Sequence, residues 1–145
     1  MDRDQLTAIG LTYLAGLGAI PATSYYEKPV ADYILAQCAD IGVETQVDRY
    51  GNILATRPRT DDSADDVAFV AHMDHPGYEA ISAEDDGVHG HGLGGLPPQA
   101  YDSGVAVTFI GPVGEREPGL VMGRAGARDG NNLIFEVPRD RLGPL

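Results

Sequence analysis

The spacing of apolar residues changes near residue 77, and this change constrains the fold more than any other feature of the chain. Before it, apolar residues recur at three- and four-residue steps in two segments, as in amphipathic helices. After it, short β-favouring segments alternate with Gly, Pro and Asp clusters at intervals of about 8–12 residues. The sequence therefore predicts an α/β part over residues 1–77 and a small all-β part, a barrel or a sandwich, over residues 78–145.

Two helices are predicted in the first part. The first covers roughly residues 3–17, and its apolar positions are expected to face a core: Leu6, Ile9, Tyr13, Leu14 and Leu17. The second is predicted to start near Lys28, with Pro29 in its first turn. A capping box from Ser24 to Glu27 is the alternative start, but it would place the proline where the helix loses a backbone hydrogen bond.

Strand patterns follow the second helix. Residues 43–56 predict a β-hairpin with its turn at residues 50–52. Residues 57–66 are rich in Asp and predict a solvated loop, with an acidic metal cage as the alternative. Residues 67–71 are apolar throughout, which predicts a strand buried in the middle of a sheet.

His72 and Asp74 come directly after this predicted strand. Polar groups at that point lie at the carboxyl edge of a sheet, where open α/β folds bind their ligands. Residues two apart in an extended segment project to the same side, so a His-x-Asp sequence can place a carboxylate beside a metal-binding imidazole. A histidine that is merely hydrogen-bonded within a loop remains the alternative.

A second group of candidate ligands lies at His89 and His91, which are separated by one glycine. Two imidazoles on one strand face can bind a metal ion, and a glycine-rich turn with exposed imidazoles is the alternative. The same stretch matches the Gly-x-Gly-x-x-Gly dinucleotide fingerprint from Gly90 to Gly95. That interpretation is disfavoured because two prolines follow, where a phosphate loop requires the start of a helix.

Composition narrows the class of partner and the compartment. The chain has 10 basic and 22 acidic residues, a net charge of -12, and the basic residues form no stripe. Such a chain repels phosphate backbones, so no nucleic-acid partner is expected. No apolar run reaches the ~20 residues that span a bilayer, so no membrane partner is expected either. Cys38 is the single cysteine and is expected to face the core as a small hydrophobe, and with no export signal the expected location is cytoplasmic.

Several motifs, in order along nearly the whole chain, resemble the opening of the tetrahedral or glutamyl-type aminopeptidases. These are dinuclear metallopeptidases related to carboxypeptidases and dipeptidases of the same clan. The matching pieces are the loop from Ile20-Pro21 to Glu27, Asp48-x-x-Gly51-Asn52, Ala71-His72-Met73-Asp74-x-x-Gly77-Tyr78, Asp85-Asp86-Gly87 to Leu93-Gly94-Gly95, and Pro118-Gly119-Leu120-Val121-Met122-Gly123.

The resemblance implies a mixed-sheet catalytic domain with an inserted β domain that mediates self-association. It implies a peptide substrate and two divalent metal ions, Zn²⁺ or Co²⁺. In this chain His72 would be a ligand of one ion, and Asp74 would be the catalytic-site carboxylate that orients that histidine.

The chain departs from the family pattern in two ways. His75-Pro76 stands where the commoner pattern has an acidic and an aliphatic residue. The family's bridging Asp, Glu pair, further acidic ligand and late His have no counterpart here. We therefore expect the chain to be the amino-terminal portion of a longer aminopeptidase, inactive by itself. The alternative is a complete non-catalytic module whose β half binds a protein or self-associates.

Overall fold

A computed structural model of the chain describes residues 1–57, 67–112, 114–125 and 132–137. The chain divides into two compact units, Met1–His75 and Pro76–Leu145, called here the amino-terminal unit and the β unit. Two helices and a hairpin form the first, and a five-stranded antiparallel sheet forms the second. This arrangement confirms an α/β protein with an all-β part.

The two helices form as predicted. Helix α1 spans Arg3–Gly18, and a capping box between Asp2 and Gln5 satisfies backbone groups at its start. Helix α2 spans Lys28–Asp40 with a proline in its first turn, which confirms the start expected at Lys28. None of the described helices is long and apolar enough to cross a membrane.

The apolar face of α1 is not buried, contrary to the sequence-based expectation. No residue of this helix is buried, and Leu14 is 65% exposed. The core residues of the amino-terminal unit are Ala22 and Val30, while Cys38 is only half-buried. Of the two helices only the second packs against the hairpin at several positions, so no described strand covers the apolar face of α1.

The predicted hairpin is confirmed. Strand β1 (Glu44–Val47) pairs antiparallel with β2 (Ile53–Thr56). Asp48 organises the turn, since its Oδ1 accepts hydrogen bonds from the backbone N–H groups of Tyr50 and Asn52 at 2.8 and 2.9 Å. The hydrogen bond from the side chain of Asn52 contributes most to holding the pKa of Asp48 below its ordinary value.

The buried strand predicted at residues 67–71 is wrong for this structure. These residues form no strand, and Phe69 and Val70 are 96% and 94% exposed. A strand needs hydrogen-bonding neighbours along its length, and none of the described strands pairs with this segment. The acidic loop before it, residues 58–66, lies outside the described residues, and so does the alternative of a metal cage there.

The β unit is built on one antiparallel sheet with the order β3-β4-β7-β6-β5. Its strands are β3 (Gly77–Glu84), β4 (Gly87–Leu93), β5 (Ala106–Ile110), β6 (Arg116–Arg124) and β7 (Asn132–Glu136). A short 3-10 helix, Pro98–Tyr101, connects β4 to β5. In the described residues the predicted barrel or sandwich is thus a single open sheet with β3 and β5 at its edges.

The core of the β unit lies on one face of this sheet. Four side chains there are almost fully buried: Val88, Val121, Leu133 and Phe135. The ring of Phe135 makes edge-to-face contacts with Tyr78 and Phe109, with centroids 5.3 and 5.4 Å apart. Gly90 also faces this core, because a Cβ there would come within 2.9 Å of Cε2 in the ring of Phe135.

Candidate metal-ligand site

The two residues predicted from the His-x-Asp sequence lie side by side. His72 Nδ1 is 2.7 Å from the backbone oxygen of Asp74 and 3.1 Å from its Oδ1. Both partners are acceptors, so Nδ1 carries the proton and donates it. In the neutral ring this leaves the lone pair on Nε2, the nitrogen that can bind a metal ion. The side chain of His72 is 82% exposed.

Ser24 supports the carboxylate from the other side. Its hydroxyl donates a hydrogen bond of 2.6 Å to Asp74 Oδ2, so each oxygen of this carboxylate has a donor. The bond from Ser24, and secondly the bond from His72, hold the pKa of Asp74 below its ordinary value of 3.8. Asp74 therefore stays ionised at neutral pH and keeps accepting from the imidazole.

Backbone pairing holds the Ser24 segment against the Asp74 segment. The backbone N–H of His75 donates to the oxygen of Ala22 at 2.8 Å, and the N–H of Ala22 donates to His75 Nε2 at 3.0 Å. Thr23 and His75 form a parallel β-bridge. His75 Nε2 is therefore engaged as an acceptor and is not the nitrogen that would bind a metal ion here.

Tyr25 follows Ser24 in a conformation that is unfavourable for its residue type. Its φ is 72°, the left-handed region, and its side chain is 86% exposed. The backbone N–H of Tyr25 donates to Glu27 Oε1 at 2.8 Å, which stabilises this turn before α2. A strained residue held next to Ser24 is typical of segments whose geometry serves a site.

The second pair of candidate histidines lies on strand β4, not in a glycine-rich turn. Val88 and Gly90 face the core, and His89 and His91 lie half-buried on the opposite face. The two imidazoles take separate partners: His89 Nε2 is 2.8 Å from Asp86 Oδ1, and His91 Nε2 is 3.2 Å from Glu79 Oε2. The hydrogen bond with Asp86 is the largest cause that raises the pKa of His89 above its ordinary value.

Three side chains at the β3–β4 turn lie close enough together to share a metal ion. One ligand atom each from Glu84, Asp86 and His89 lies within 4.8 Å of the other two. His72 belongs to no such group of three among the residues that the structure describes. The dinucleotide interpretation of the same stretch fails, because its first two glycines lie inside strand β4 and the element that follows it is a short 3-10 helix instead of an α-helix.

Comparison with known proteins bears on the family. Over 103 residues the chain is 33% identical to the glutamyl aminopeptidase of Lactococcus lactis subsp. cremoris (strain MG1363). The chain is related to an aminopeptidase. The match covers 70% of this chain but only 29% of the relative's length. No family model matches the chain, and no solved structure matches it.

Four residues of these sites were not identified as contributors from the sequence. The sequence predicted only that Ser24 lies in a loop. The feature that could have pointed to a role in the site is that this hydroxyl residue stands next to a helix without capping it. His75 was noted only as a departure from the family pattern. Glu84 belonged to no motif, and Asp86 appeared only in the Asp85-Asp86-Gly87 piece of the family resemblance. Neither was linked to His89, because their proximity to it depends on the register of the hairpin.

Proposed function

We propose that this chain is the amino-terminal part of a metal-dependent aminopeptidase, which hydrolyses N-terminal peptide bonds with a dinuclear centre of Zn²⁺ or Co²⁺. The observation that carries this proposal is the hydrogen-bonded series Ser24–Asp74–His72. It occurs in a chain that is related to an aminopeptidase.

The chemistry of the donors fits a metal ligand at His72. The hydrogen bonds at Nδ1 favour the tautomer with its lone pair on Nε2, and the exposed ring leaves that nitrogen accessible. His72 would hold one ion, and Asp74 would orient and polarise the imidazole without binding the ion itself. Divalent ions in such a centre polarise the scissile carbonyl and lower the pKa of a bound water.

Ser24 and the segments around it position Asp74 and His72. Ser24 holds the carboxylate of Asp74, and the pairing of Ala22 with His75 keeps the Ser24 segment in place. A pair of dications requires several carboxylate ligands, which a single imidazole cannot replace. We propose that those ligands belong to a longer protein that contains this chain, as the 29% coverage of its relative allows.

The test uses the protein encoded by the whole reading frame that contains this chain. It should release N-terminal residues from peptides and from aminoacyl chromogenic substrates, lose this activity to a chelator and recover it with Zn²⁺ or Co²⁺. Activity that persists after the bound metal has been removed would contradict metal dependence. Absence of any peptidase activity in the metal-loaded protein would favour the non-catalytic module.

Removing the carboxylate of Asp74 or the hydroxyl of Ser24 should change which ring nitrogen of His72 carries the proton. In Asp74→Ala the preference for the Nδ1–H tautomer should weaken, because only the backbone oxygen of residue 74 still accepts from Nδ1, and metal affinity at His72 should fall by about 10- to 100-fold, as when other outer partners of ligating histidines are removed. Ser24→Ala should have the same effect in smaller measure, because Asp74 remains. Nitrogen chemical shifts of the four histidine rings report the tautomer without any metal.

Thr12→Ala is the matched control for Ser24→Ala, since it removes a hydroxyl that bonds only within α1. Ring shifts of His72 that are the same in Asp74→Ala as in the unchanged chain would contradict the orienting role of the carboxylate.

We also propose that the β unit mediates self-association of a cytoplasmic homo-oligomer. Support comes from the family resemblance and from the two edge strands, β3 and β5, whose backbone groups can pair with another chain. Sedimentation of the whole protein should show a larger assembly than a variant lacking residues 78–145. An unchanged assembly would contradict this role.

A further inference from the structure

The β3–β4 hairpin carries a polar face on the side of the sheet away from the core. Along β4, buried and half-buried residues alternate, so His89 lies on the opposite face from Val88. Glu84 ends β3 and is paired in register with Gly87, and Asp86 lies in the turn between the strands. The hairpin register therefore brings two carboxylates and one imidazole to the same end of this face.

The distances between these groups suit a shared ion. His89 Nε2 is 2.8 Å from Asp86 Oδ1 and 3.9 Å from Glu84 Oε2. An ion bound at about 2.0–2.2 Å by nitrogen and oxygen ligands separates those ligand atoms by roughly 3–3.5 Å. The observed separations bracket this range, so small side-chain rotations suffice to place an ion among the three.

The backbone under these side chains is held firmly. Strand β4 is hydrogen-bonded on both sides, to β3 and to β7. Gly87, with φ 149°, lies so close to β7 that a Cβ there would come within 2.7 Å of the Phe135 carbonyl oxygen. His89 lies on this doubly paired strand, so its backbone loses little freedom when the imidazole binds an ion, which favours binding.

We propose that Glu84, Asp86 and His89 form a second metal site, which takes a divalent transition-metal ion such as Zn²⁺, Co²⁺ or Ni²⁺. Two carboxylates neutralise the charge of one dication in a chain that is already strongly acidic. The imidazole nitrogen selects against Ca²⁺ and Mg²⁺, which prefer oxygen ligands alone. Three protein ligands leave an open position for water or for a donor from another molecule.

The same face supplies a matched control. His91 lies two residues further along β4 and pairs with one carboxylate, Glu79, at 3.2 Å. Among the residues that the structure describes, this pair is not part of any group of three ligands. His91→Gln therefore removes an imidazole from the same sheet face without removing a ligand of the proposed site. His72→Gln tests independence from the site proposed for the peptidase.

The experiment is a calorimetric titration of the chain with Zn²⁺ and with Co²⁺, whose visible absorption reports nitrogen and oxygen ligation. The chain, His91→Gln and His72→Gln should each bind one equivalent at the hairpin. His89→Gln and Glu84→Gln should each weaken that binding by more than about 100-fold, since each removes one of three direct ligands, a larger loss than that of an outer partner. In the unchanged chain, Co²⁺ should broaden the ring signals of His89 before those of His91.

Two results would overturn the proposal. The first is binding that survives His89→Gln, or that Ca²⁺ displaces as readily as Ni²⁺ does, because either would show a general attraction of cations to acidic side chains. The second is the absence of saturable binding together with unperturbed His89 signals, which would show that the three groups form an ion pair only. The signals of His89 come from the unchanged chain, so this second result stands even where a variant fails to fold.

Discussion

Phe135→Ala should lower the free energy of unfolding of the β unit by about 3–5 kcal/mol, the cost of removing a large buried aromatic side chain and leaving a cavity. Phe135 is 1% exposed and contacts the rings of Tyr78 and Phe109. Small domains are stable by about 5–15 kcal/mol in total, so this loss removes a large fraction of the stability of the unit. Amide hydrogen exchange in β4 and β7 measures the effect within this unit.

Leu120→Ala is the control for this substitution. Leu120 lies on β6 next to the buried Val121 but is 42% exposed, so its loss should cost far less than the loss of Phe135. Equal protection of β4 and β7 amides in Phe135→Ala and in Leu120→Ala would show that the ring of Phe135 does not hold the sheet together.

His72→Ala in the whole protein should remove one metal ion and reduce peptidase activity by more than about 100-fold. Losing a direct ligand exceeds the 10- to 100-fold effect of losing an outer partner, which sets this lower bound. The prediction rests on the proposed function and on the exposed Nε2 of His72. Metal content by elemental analysis and kcat/KM for an aminoacyl substrate should fall together.

His91→Ala is the matched change for this test, because it removes an imidazole from a sheet face in the β unit and should leave activity unchanged. Full activity and full metal content in His72→Ala would exclude His72 as a ligand. Loss of activity with normal metal content would instead assign this histidine to substrate binding.

The elements that local patterns specify were predicted well. The spacing of apolar residues predicted both helices, and Pro29 indicated the start of α2 because proline is tolerated only in the first turn. The β1–β2 hairpin followed from alternating residues around a Gly-Asn turn. The prediction of a buried strand at residues 67–71 was wrong. The segment has a strand-like composition, but no described strand pairs with it.

Sequence order alone determined that His72 and Asp74 would be neighbours, because the single residue between them keeps their Cα atoms within about 7 Å in any conformation. It also determined the hairpins, whose strands are joined by short turns. Only the tertiary structure brought Ser24 to Asp74 across 50 positions. The register of the β3–β4 hairpin, a local feature that the periodicity did not fix, gathered Glu84, Asp86 and His89. The reason is that a hydrogen bond between distant segments depends on how the intervening chain folds, and periodicity carries no information about that path.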